Sequence, residues 1–139
     1  MKDKSPELSK LEELTLRYLL KLDEKQIDHI RDIDIVKAGE TYIAHGHELG
    51  SGGGINVARN VMLRSFCNII FGHFHRTQES PAKQLSRLQF ASWSVGCLAG
   101  LNPAYMPVNQ WNQGCGFLEI QDDGMFTMHN KKIIGGKIV

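Results

Sequence analysis

Hydrophobic positions along the chain change their spacing more than once, and each change marks a new kind of element. Across residues 5–30 apolar side chains return every three or four positions (Leu11, Leu14, Tyr18, Leu22), the period of a helix with one apolar face. Ser9 and Glu12 have the spacing of a capping box, and Thr15 is placed to cap a second short helix through Leu22, so the stretch reads as one helix or two. Beyond residue 28 the period shortens. Ile33 and Ile35 alternate with Asp32 and Asp34, Ala38-Gly39 makes a turn, and Thr41-Tyr42-Ile43-Ala44 is a second apolar run. This pattern predicts a strand pair whose second member ends at His45.

The middle of the chain returns to helical spacing and then to a buried strand. Gly50-Ser51-Gly52-Gly53-Gly54 is a loop, and residues 55–65, apolar at Ile55, Ala58, Val61 and Met62, form an amphipathic helix. Cys67-Asn68-Ile69-Ile70-Phe71 is short and almost wholly apolar, hence a buried strand, and it stops at Gly72-His73-Phe74-His75. The order is strand, loop, helix, strand, with histidines at the end of both strands. In open α/β sheets the crevice beyond the strand ends is where ligands bind. The last third reads as β: strands at 88–95, 116–121 and 125–139, with Asp122-Asp123-Gly124 as a hairpin turn and a proline-punctuated loop at 102–107. The expected class is α/β (α+β), a single domain over residues 1–139.

Composition narrows the partners. Sixteen Lys+Arg against fifteen Asp+Glu leave a net charge of +1, which gives nucleic acid no electrostatic support. No apolar run approaches the ~18 residues of a membrane span, and the polar start Met1-Lys2-Asp3-Lys4 is not that of a signal sequence, so no membrane partner is expected. The three cysteines are odd in number and lack C-x-x-C spacing, which points away from a disulfide framework and towards a reduced, cytoplasmic setting.

Four of the six histidines fall in two identical patterns, His45-Gly46-His47 and His73-Phe74-His75. Imidazole is the commonest side-chain ligand of zinc and suits iron and nickel as well. A His-x-His pair puts both rings on one side of an extended segment, or a tight loop aims them at one or two ions. Two such pairs at two strand ends read as a metal site. Gly52, Gly53 and Gly54 ahead of a helix form a candidate phosphate cradle, because free N–H groups and the helix N-terminus both favour an anion. The loop matches neither a dinucleotide fingerprint nor a P-loop, and a plain flexible connection is the alternative. Arg76, beside the histidines, is the arginine best placed to meet a phosphate, whereas Arg59 and Arg64 read as solvated or surface-paired. His29 and His129 read as surface residues, Cys67 and Cys97 as buried hydrophobes, and Trp93, Tyr105, Trp111 and Phe117 as core or loop anchors.

Tyr42-Ile43-Ala44-His45-Gly46, followed by Asn68-Ile69-Ile70-Phe71-Gly72-His73-Phe74-His75-Arg76, resembles the last two metal motifs of the calcineurin-like metallophosphoesterase superfamily, in its bacterial and phage members. The resemblance runs over nearly the whole chain but covers only the C-terminal half of the family domain. It implies a β-sandwich flanked by helices, of which this chain is the C-terminal half. It also implies hydrolysis of a phosphate-containing substrate at a binuclear centre of divalent transition metal (zinc, manganese, iron or nickel). Carried over by motif, His45 and His73 bind one ion and His75 the other. His47, which has no fixed role in the family, and Arg76 are expected behind the ligands or against substrate.

The family's earlier motifs, Asp-x-His, Gly-Asp-x-x-Asp and Gly-Asn-His-Asp/Glu, do not occur in these residues. Three imidazoles leave the charge of two dications uncompensated. The expectation is therefore a chain that is incomplete or inactive alone. It would be joined by an N-terminal half or a second copy across a bare apolar face at Ile43, Ile69 and Phe71. A non-catalytic metal-binding oligomer and a small phosphate- or nucleotide-binding module are the other two readings.

Overall fold

The computed structural model describes residues 15–30, 34–50 and 54–139. The helical reading of residues 5–14 with its Ser9–Glu12 box, Ile33, and the loop residues Ser51, Gly52 and Gly53 lie outside these. The chain divides into two compact units, Met1–Asp32 and Ile33–Val139.

In the first unit α1 is a single turn, Leu16–Leu19, and the Thr15 hydroxyl caps it by accepting the Tyr18 N–H at 3.3 Å. The helix ends short of Leu22. Lys21 turns into the left-handed region at φ 53°, a conformation that ends helices, and Arg17 then closes on Asp23 at 2.6 Å.

The second unit is mixed α+β, with sheets of five and three strands in a sandwich-like arrangement. Its elements are β1 (Val36–Ala38), β2 (Thr41–Ala44), a 3-10 turn (His47–Leu49), α2 (Val57–Ser65), β3 (Ile69–Phe71), β4 (Gln78–Lys83), β5 (Gln89–Ser94), β6 (Gly114–Ile120), β7 (Phe126–Ile134) and β8 (Lys137–Ile138). The larger sheet has the order β1-β2-β3-β5-β4, and the smaller β6-β7-β8. β2, β3 and β5 are parallel neighbours, while β1 and β4 add antiparallel edges.

Register decides what each face carries. Ala44 aligns with Phe71 and Phe71 with Ser94, so these side chains share a face with Ile69 and Ser92. α2 lies on that face: Val57 and Val61 pack with Ala44, Ile69 and Phe71, and the Ser92 hydroxyl bonds the Ala58 carbonyl. Ile43, Ile70 and Trp93 form the opposite row, where Trp93 meets Phe126 of the smaller sheet edge-to-face at 5.7 Å between ring centres. Asn130 on β7 donates to the carbonyls of Gln78 and Ser94, both at 3.0 Å, and so joins the two sheets.

Three expectations change. Ile69 and Phe71 are not bare: at 2% and 1% exposure they are the floor beneath α2, and only Ile43, at 37%, is open. β4 was not expected, because its sequence Gln-Glu-Ser-Pro-Ala-Lys is polar and holds a proline. Pro81 sits in an edge strand, where a missing N–H costs no ladder bond on the outer side. The strand expected over 125–139 is two, because Gly135 and Gly136 both take positive φ (56° and 78°) and fold Lys137–Ile138 back on Ile133–Ile134. Among the described residues no helix is long and apolar enough to cross a membrane.

Candidate functional site

Because β2 and β3 are adjacent and parallel, the segments leaving their C-terminal ends emerge side by side. The Gly72 N–H donates to the His45 carbonyl at 2.9 Å, which carries the strand pairing one step beyond the sheet. The two loops then touch. Gly46 has φ 119°, and a Cβ there would lie 3.1 Å from the Cβ of His73 and 3.2 Å from the Gly72 carbonyl oxygen. Glycine is what lets the histidine loops close on each other. Gly46→Ala should therefore cost ~1–3 kcal/mol of backbone strain and also push the loops apart. Urea denaturation should show a lower midpoint for the variant, and an unchanged midpoint would contradict this packing.

The outcome is a direct meeting of imidazoles. His45 Nε2 stands 3.2 Å from His73 Nδ1, and the His47 ring centre lies 5.3 Å from that of His45 and 6.2 Å from that of His73. His75 is set apart from this group, its ring packed edge-to-face on Trp111 at 4.2 Å between centres. The identical His-x-His spacing does not give identical directions, because His73 and His75 both adopt left-handed backbone (φ 61° and 56°) rather than the extended form. Non-glycine residues in that region are uncommon, and they collect at functional sites.

Two of the rings, His73 and His75, hold a proton less readily than a free histidine. Burial lowers the proton affinity of His73, and positive charge on His45, His47 and His75 lowers it further, against a small opposing effect of Glu48. Burial does the same for His75, helped by His45. Neutral imidazoles have a lone pair to give to a metal. His75 Nδ1 and Arg76 Nε are buried without a hydrogen-bond partner.

Glu48, which the sequence reading passed over, closes the first loop. Its carboxylate accepts the N–H groups of His45 and Gly46 at 3.2 and 2.6 Å and lies 3.6 Å from His47 Nδ1. Burial raises its proton affinity, but the bonds from its own N–H and those of Gly46 and His45, with the charge of His47, bring the net below the usual carboxylate range. Its oxygens therefore serve the backbone. The only signal was a carboxylate three residues past a strand end, where N–H groups need acceptors.

The remaining candidates scatter. Arg76 Nη1 donates to the Gly54 carbonyl at 2.8 Å, tying the described end of the glycine loop to the histidine loop. Gly52 and Gly53 lie outside the described residues. Arg64, expected to be solvated or surface-paired, donates to the Leu49 carbonyl at 2.6 Å. All three cysteines are free and half-buried.

As a metal site the arrangement is partial. Two imidazole nitrogens on one zinc, each about 2.0–2.1 Å from it, stand roughly 3.3 Å apart at a tetrahedral angle. The observed 3.2 Å between His45 Nε2 and His73 Nδ1 fits that pair. Among the described residues no group of three or more His, Cys, Asp or Glu side chains gathers closely enough to hold an ion. No protein family, curated protein or solved structure matches the chain.

Proposed function

We propose that this chain is the C-terminal portion of a metal-dependent phosphoesterase and holds the histidine side of a binuclear centre. What carries the reading is the meeting of His45 Nε2 and His73 Nδ1 at 3.2 Å, from two loops at the ends of adjacent parallel strands. In this reading His45 and His73 hold one divalent transition ion, zinc, manganese, iron or nickel, and His75 belongs to a second. When bound, such a centre supplies an acidified water and neutralises phosphate charge. The chain's own part is to present imidazoles from the ends of two adjacent strands and to set His47 and the fixed charge of Arg76 at the same edge for a phosphate-containing substrate.

The carboxylate ligands come from an N-terminal half or a partner chain, because Glu48 is committed to backbone N–H groups. The same partner, or a second copy, covers the open side chain of Ile43, 37% exposed. Elemental analysis of the purified, tag-free chain after zinc or manganese loading should find bound metal. An aryl phosphate diester should be turned over only in traces, since the described residues gather no third ligand beside the histidine pair. A chain with no affinity for metal would overturn the reading, and fast turnover lost in His73→Ala would show that the chain alone is complete.

A further inference from the structure

His75 holds a left-handed backbone conformation (φ 56°), whose cost for a non-glycine residue its surroundings must offset. Those surroundings come from one dipeptide far along the chain. The Asn112 N–H donates to the His75 carbonyl at 2.9 Å. Its side-chain Oδ1 accepts the Thr77 N–H at 2.7 Å, while Nδ2 donates to the Thr77 hydroxyl at 2.7 Å and to the Gln113 carbonyl at 3.0 Å. The Asn112 carbonyl accepts the Cys97 N–H at 3.1 Å, so every polar group of the residue is in use. Only a side chain of this length with both an acceptor and two donors can make the reciprocal pair with Thr77. Trp111 completes the grip, its indole 4.2 Å from the His75 ring at an interplanar angle of 67°. The Trp111 N–H is itself fixed by Asn109 Oδ1 at 2.9 Å.

We infer that Trp111 and Asn112 are positioning residues that clamp the His75 loop and aim the His75 imidazole, independently of the His45–His73 pair. The inference rests on the metal reading above only in giving that imidazole a ligand to hold; the clamp itself is a property of the free chain. Partners that orient a metal-ligating histidine are worth 10–100-fold in metal affinity, which sets the size of the expected effect.

The test has two arms. In long-range proton–nitrogen spectra of the metal-free chain, Asn112→Ala should move the His75 ring signals towards those of a free histidine and leave those of His45 and His73 in place. Unmoved His75 signals, or equal movement of all three rings, would overturn the clamp. If Asn112→Ala fails to fold, Thr77→Val removes only the hydroxyl acceptor and serves for the same comparison.

In the second arm cobalt is titrated into the full chain. Asn112→Ala should weaken binding of the second, His75-held ion about 10–100-fold and leave the ion at His45 and His73 unchanged. In a His75→Ala background it should weaken cobalt binding no further, because the asparagine acts through that ring. An undiminished loss in that background would make Asn112 a merely structural residue and overturn the proposal. A wild-type chain that binds no cobalt would sink the metal reading, and the imidazole spectra alone would then uphold or overturn the clamp.

Discussion

Alanine in place of His73 is expected to weaken zinc binding by at least about 100-fold, because loss of a ligand should match or exceed the 10–100-fold loss seen on removing a ligand's outer partner. The same loss is expected for His45→Ala, since either change leaves a single imidazole where two nitrogens now stand 3.2 Å apart. His47→Ala should cost far less. Its ring centre is 6.2 Å from that of His73, and its nearest acidic neighbour is Glu48 rather than a shared ligand point. Competition against a chromophoric chelator, with circular dichroism to show that each variant is folded, ranks the three. Equal affinities for wild type and His73→Ala would remove the histidine pair from any metal site.

Phe71→Ala should be the most damaging single change to stability. Phe71 is 1% exposed, lies among Ala44, Val57, Val61 and Ile69, and meets Phe74 edge-to-face at 5.9 Å between ring centres. Truncating a buried phenylalanine costs ~3–5 kcal/mol, against the ~5–15 kcal/mol that holds most domains folded. A fall of roughly 10 °C or more in melting temperature follows for a unit of this size. Leu85→Ala, at a fully exposed hairpin tip, should stay within about 0.5 kcal/mol of wild type. Thermal melts of the two variants side by side decide whether the packing under α2 is the core. The damage should reach the site too, because Phe71 is the last residue of β3 before the Gly72–His73 loop.

The β2–α2–β3 unit was legible because its residues agree at every level: an apolar run, a helical period, then another apolar run of strand length. Two strand ends carrying histidines lead to the expectation that His45, His73 and His75 converge. His45 and His73 do meet, because adjacent parallel strands bring their ends together, while His75 packs on Trp111. What stayed hidden has a common physical cause. Glu48 and Asn112 act by bonding backbone groups, and such bonds leave no periodic trace in a sequence. β4 is polar and contains Pro81, so it resembles a loop until an edge position excuses the missing N–H. The different fates of His73 and His75 depend on left-handed backbone that nothing in His-Phe-His announces. Trp111, read as a loop anchor, does anchor a loop, but the loop it holds is that of His75.

The bond from the Glu40 N–H to the Gly124 carbonyl, 3.0 Å, joins the turn between β1 and β2 to the turn between β6 and β7. These turns are separated by most of the second unit, and closing so long a loop is entropically late in assembly. His45 and His73, by contrast, are parted by a single helix, so their meeting needs only the β2–α2–β3 segment to condense. During synthesis from the N-terminus that segment leaves the ribosome well before Trp111 and Asn112. The nascent chain therefore presents a pair of imidazoles first, and acquires the grip on its third only when the loop ahead of β6 arrives.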